Sequence, residues 1–231
     1  MNFEETARLY EEESMREIFS YDGLLGRTLY KFADCVLLSI LWMVCCIPVI
    51  TIGAATAALY YTVNKVVRHD RGGLWTEYWQ AFRLNFRQAT VVWIVLILIL
   101  GVLTANLYSA YILYLQGHMS AIFLGLLIAM VAAIIMWASY LFPCLARFDN
   151  KIKQHMKNCF WFMTVNFVWS VLLLVIFVIM AIGAMLYPLG LLFVPAVYML
   201  SINFILERVF KKYMSPEDLK EEDERNKKVV D

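Results

Sequence analysis

The chain has 231 residues, is 62% hydrophobic and 17% charged, and carries a net charge of +1. A soluble domain is about 45–50% apolar and about 25% charged, so this composition excludes an ordinary soluble globule. Near-zero net charge excludes bulk attraction to nucleic acid.

Residues 1–27 read as a polar cytoplasmic lead. Glu11, Glu12 and Glu13 are its acidic cluster, and Leu9, Met15, Ile18 and Phe19 form a weak apolar stripe. This Glu-rich start is the reverse of a basic signal-peptide n-region, so the first apolar run is expected to stay attached as an anchor. Span one is predicted from about Thr28 to Ile47, with Pro48 as its terminator. Thr51 and Gly53 open an Ala-rich second span to about Val67, and the turn between the two carries no charge.

The next connection holds Arg68, Arg71, Arg83 and Arg87. Trp75, Trp79, Phe82 and Phe86 recur in it at helical spacing. An aromatic stripe bordered by Arg predicts an interfacial helix flat on the inner leaflet, anchored by Trp75, Trp79, Arg83 and Arg87. The alternative is a plain continuation of the next span.

Span three is predicted over about 89–115 and span four over about 121–145, joined by an outer turn at Gln116–Ser120 without Lys or Arg. Arg147, Lys151, Lys153 and Lys157 follow, with a short amphipathic piece built on Ile152, Met156 and Phe160. Span five, about 166–186, turns at Tyr187-Pro188-Leu189-Gly190 into span six, about 191–206. Arg208, Lys211 and Lys212 mark its end. The charged tail, 213–231, is expected as a helix in water or as disordered chain.

All 20 Lys and Arg residues fall on one side of this map. Basic residues collect on the cytoplasmic side. The expected fold is therefore an all-α polytopic transmembrane bundle over 28–212, with six spans as three hairpins and both termini cytoplasmic. The expected location is a plasma membrane. A five-span map, with 28–67 as one span plus a re-entrant piece, puts Arg27 and Lys31 outside and violates the charge rule.

The first hairpin carries Asp34, Leu41-Trp42 and the run Pro48-x-x-Thr51-x-Gly53-Ala54-x-x-Ala57-Ala58. This motif, with Asn85-Phe86-Arg87-Gln88 and the Phe142-Pro143 to Arg147-Phe148 stretch, resembles the YesL-type family of bacterial membrane proteins, a domain of unknown function. The similarity covers about 21–212. Members occur mostly in Firmicutes, often beside genes for carbohydrate import and polysaccharide breakdown. The resemblance thus implies a connection with carbohydrate uptake, and it supplies no catalytic or ligand residues.

Gly53 with Ala57, and Ala54 with Ala58, set small residues four apart, a spacing that lets helices approach closely in lipid. A broken helix lining a substrate path is the functional alternative. Asp34 is a carboxylate inside a span and needs a partner. Lys31 lies three residues earlier on the same face, a basic residue such as Arg87 or Arg147 is the long-range choice, and a proton or substrate relay is the functional one. Asn106, Asn166 and Asn203 are polar groups at membrane depth, expected to bond between helices. Arg147 is expected in an inner-surface salt bridge. The three histidines fall in separate connections, two inner and one outer, so no shared metal site is expected. No phosphate cradle, nucleophile elbow or cofactor motif appears.

The leading expectation is a non-enzymatic accessory or regulatory membrane protein, with the bilayer, a carbohydrate ABC permease or a second copy of itself as partner. The alternative is a small carrier or channel in its own right, whose cavity a dimer could complete.

Overall fold

The computed structural model describes residues 24–148 and 151–227, and every regular element among them is helical. The polar lead up to residue 23, with its Glu cluster and apolar stripe, lies outside the described residues, as does Asp149. Helix α1 is Leu24–Cys46. A 3₁₀ turn at Val49–Thr51 leads into α2, Ile52–Thr62. The remaining helices are α3 (Leu74–Leu115), α4 (Ala121–Arg147), α5 (Ile152–Val165), α6 (Phe167–Leu186), α7 (Val194–Lys211) and α8 (Pro216–Lys227).

Among the described residues, four helices are long and apolar enough to cross a membrane: Thr28–Cys46, Leu74–Leu115, Ala121–Arg147 and Phe167–Leu186. Their outward faces carry large apolar side chains such as Leu37, Val44, Leu98, Ile122, Val168 and Ile179. Such an unpartnered apolar surface is stable against lipid and not against water. The two remaining predicted spans are weaker by this measure. α2 has 11 residues, about 17 Å at the helical rise, and α7 carries Glu207, Arg208 and Lys211 in its last turns.

α3 corrects the expectation of a separate interfacial helix. Its 42 residues are unbroken, about 63 Å, which is twice the hydrocarbon thickness of a bilayer. Neither Pro nor Gly interrupts residues 74–100, so nothing breaks the backbone ladder there. Trp75, Trp79, Arg83 and Arg87 all lie exposed on the first half of this helix, while Tyr78, Ala81 and Ala89 turn inward. Trp75 stacks on Trp79, Trp79 on Phe82, and the Arg83 guanidinium sits 5.4 Å from the Trp79 ring.

α2 packs along that first half of α3. The indole of Trp93 donates to the Val49 carbonyl at 2.7 Å, so the tip of the α1–α2 hairpin is level with Trp93. α3 runs 22 residues, about 33 Å, past that point. Gly53 sets the closeness of the seam. A Cβ there would lie 2.6 Å from the Ala89 carbonyl oxygen and 2.7 Å from Trp93 Cβ. Ala54, Ala57 and Ala58 are fully buried beside it.

α5 buries a different face from the one its sequence suggests. His155, Cys159 and Phe162 point into the core, whereas Phe160 is exposed and Ile152 and Met156 are half-buried. Phe162, Phe148, Phe210, Tyr213 and Trp161 form an aromatic cluster that joins α5 to the end of α7.

Candidate functional site

The lower third of the bundle, where the basic connections gather, holds a buried polar network. Beyond Thr62 the backbone widens into a π turn, Val63–Arg68. π turns frequently mark functional sites because they re-aim side chains. Tyr60, Asn64 and Arg68, four residues apart, all reach α7. The Tyr60 hydroxyl donates to Glu207 at 3.1 Å, Asn64 Nδ2 donates to Glu207 at 3.3 Å, and Arg68 donates to Asn203 Oδ1 at 2.6 Å.

Glu207 is 2% exposed. Such a carboxylate is stable only when paired and hydrogen-bonded. Arg147, at the end of α4, supplies the charge at 3.1 Å. The same guanidinium nitrogen also binds Glu222 of α8, whose other oxygen lies 3.4 Å from Lys211. Arg147 thus joins two carboxylates from different elements. The tail takes the helical one of its two expected forms over 216–227, but it does not stand free in water, because Glu222 is buried against the bundle.

Above this network a cavity of about 590 Å³ is lined by Tyr61, Asn64, Lys65, Arg71, Arg147 and Tyr213, among others. Lys65 pairs with Glu77 of α3 at 2.7 Å. Asn64 Oδ1 is buried without a partner.

A second cavity, about 510 Å³, lies between α1, α2, α3, α4, α6 and α7. Its walls include Trp42, Trp93, Phe142, Phe177, Met180 and Met199, and they are almost wholly apolar. Four of the polar side chains that reach it are already satisfied, and Tyr198 is a fifth on the wall. Trp42 donates to Thr56, Thr56 to the Ile52 carbonyl, Trp93 to the Val49 carbonyl and Ser139 to the Ile135 carbonyl. None of these donors is left for a polar guest.

The residues singled out from sequence scatter. Lys31 makes its direct ion pair with Asp70, in the connection after α2, at 3.1 Å, and its charge also acts on Asp34, which stands half-buried one turn further along α1. Arg87 lies exposed on α3 and Arg147 is taken by Glu207 and Glu222. Asn106 bonds its own helix at the Val102 carbonyl and faces outward. Asn166 bonds both its own chain at Phe162 and the Tyr213 hydroxyl. Asn203 receives Arg68 across helices. Pro48 is exposed at the hairpin tip, where Thr51 donates to its carbonyl. Glu207, Glu222, Tyr60 and Asn64 were not foreseen.

One further cluster was also missed. His155 and Cys159, one turn apart on α5, are both buried, with Nε2 and Sγ 3.7 Å apart. Burial alone pushes the Cys159 thiol up, but hydrogen bonds to the Cys144 thiol and His155, with the charge His155 carries when protonated, hold it below the ordinary thiol range. Among the described residues, no group of three His, Cys, Asp or Glu is placed to hold a metal ion.

Residues 35–107 match the model of a family described as "Protein of unknown function, DUF624". That stretch runs from α1 to the middle of the apolar half of α3, and it contains the Gly53 seam and the π turn. No curated protein and no solved structure matches the chain.

Proposed function

We propose that this is a six-crossing plasma-membrane protein with both termini in the cytoplasm, acting as a non-enzymatic accessory or regulatory subunit for carbohydrate uptake. The membrane placement draws on the four long apolar helices. Sidedness draws on the basic residues, because the ends of α2, α4 and α7 and the start of α1 meet at one end through Lys31–Asp70, Arg68–Asn203 and Arg147–Glu207. The first hairpin is shallower than the second. Because it turns back on itself, its depth leaves the sidedness of the termini unchanged.

The observation that carries an accessory role over a sugar carrier is the apolar cavity among the spans. A carrier assembles polar groups near the bilayer midplane. Here the Trp42, Trp93 and Ser139 donors bond to the protein itself. Each sugar hydroxyl brought in without a partner would cost about 1–3 kcal/mol. The carbohydrate connection itself rests on the resemblance of the first hairpin to the YesL-type family.

The test is paired. Purified protein in liposomes should not move labelled oligosaccharides, and the same protein should co-purify with a carbohydrate permease from its native membrane. Oligosaccharide uptake into liposomes containing this chain alone would replace the accessory reading by a carrier.

A further inference from the structure

The contact between Arg147 and the C-terminal helix has features of a site filled by its own protein. α8 is strongly hydrophilic; Leu219 is its one large apolar residue between Pro216 and Lys227. It therefore buries little apolar surface, and hydrophobic burial cannot be what holds it. Its inserted group is Glu222, 7% exposed, clasped by Arg147 and Lys211. Ser215 caps the helix, accepting from the Asp218 amide at 3.1 Å and donating to the Asp218 carboxylate at 2.7 Å. The helix is capped by its own Ser215, and its attachment is electrostatic.

Among the described residues, charge around the adjoining cavity balances only while the tail is present. Lys65, Arg71, Arg147 and Lys211 face Glu77, Glu207, Asp218 and Glu222. Withdrawing α8 removes Asp218 and Glu222 and leaves two carboxylates against four cations. It also opens the Arg147 guanidinium, a planar fork suited to a tetrahedral or planar oxyanion. Asn64, Tyr61 and Tyr213 line the same space, which has room for a group larger than a carboxylate.

We propose that Arg147 and Lys211 form an anion site at the cytoplasmic end of the bundle, that Glu222 occupies it as an internal stand-in, and that a phosphate group displaces the tail. The group is carried either by a soluble phosphate ester or by an anionic lipid headgroup. Displacement frees an acidic helix, with Glu217, Asp218, Glu221 and Glu222, on the cytoplasmic side, so that occupancy of the site is reported to whatever binds there. This inference does not depend on the carbohydrate reading.

Hydrogen–deuterium exchange on the full-length protein in nanodiscs tests it. In phosphatidylcholine alone, millimolar inorganic phosphate should speed exchange in 216–227 about tenfold more than sodium chloride of equal ionic strength, while the spans stay protected. A tail closed about nine-tenths of the time hides its site about tenfold. Glu222→Gln should therefore exchange fast without phosphate and bind phosphate about tenfold more tightly by calorimetry. Lys211→Gln, at a half-exposed position, should keep protected spans and lose the response. A second arm replaces part of the phosphatidylcholine by phosphatidic acid. Release there without a response to inorganic phosphate assigns the group to a headgroup. The proposal fails if neither arm exceeds the chloride control, or if Lys211→Gln responds like the parent.

Discussion

Replacing Gly53 by Ala should open the seam between α2 and α3. The added methyl would sit 2.6 Å from the Ala89 carbonyl oxygen, 2.7 Å from Trp93 Cβ and 3.0 Å from a Phe142 ring carbon, against 3.4–4 Å for ordinary contact. The first two are a backbone atom and a Cβ, so neither can swing aside, and the helices must part by several tenths of an ångström. Overpacking of this kind costs about 1–3 kcal/mol. Parting the helices also strains the Trp93–Val49 hydrogen bond, which contributes about 1 kcal/mol. The expected loss is about 2–4 kcal/mol. Gly125→Ala in α4 is the internal control. A Cβ there has nothing within 4 Å, and the substitution should be neutral or stabilising by up to about 1 kcal/mol through helix propensity. Unfolding in mixed micelles of increasing SDS fraction, followed by tryptophan fluorescence, reads both. If Gly53→Ala unfolds at the same SDS fraction as Gly125→Ala, the close approach of α2 and α3 is not what this structure describes.

Removing the Glu207 carboxylate alone, as Glu207→Ala, should destabilise by about 3–5 kcal/mol, because Arg147 keeps its charge at a largely buried position with one partner fewer. Arg147→Met with Glu207→Leu together should cost less than the two single changes summed, and the same SDS titration measures the coupling. Trp93→Phe should cost about 0.5–1.5 kcal/mol through the lost bond to Val49, and should raise amide exchange at 47–51.

Much of the fold is local and therefore legible. Apolar runs near span length gave helices, and the Pro48, Gly117 and Pro188 turns end them close to the predicted points. Gly117 adopts φ 74°, a conformation that suits glycine. The interfacial helix failed because an aromatic-basic stripe has the same 3.6-residue period whether the helix lies on lipid or continues into a span. Only packing against α2 distinguishes the two. The register of α5 failed because Ile152, Met156 and Phe160 looked more apolar than His155 and Cys159, yet the latter pair satisfies its polar atoms internally. Its one-turn spacing was visible in the sequence.

The inner network was hidden for a different reason. Glu207 precedes Arg208 at the end of an apolar run, which reads as an unremarkable interfacial pair. Its actual partner, Arg147, is on another helix 60 residues away, and Glu222 lies on a tail whose composition suggests solvent. Asp34 drew attention because it stands alone in its run. Yet Lys31 reaches past it to Asp70, on a connection whose turn depends on Asp70 at φ 49° and Gly72 at φ 79°. Spacing along one helix cannot encode such long-range choices.

Orientation in the bilayer is the premise beneath the accessory role and the phosphate site alike. Single cysteines introduced at Gly117 and at Ser215, in a background where the five native cysteines are serine or alanine, read it directly in intact cells. Position 117 should react with impermeant reagent from outside, and position 215 only after the membrane is opened. Labelling of position 215 in sealed cells would put Arg147, Lys211 and the tail on the wrong side and contradict the account.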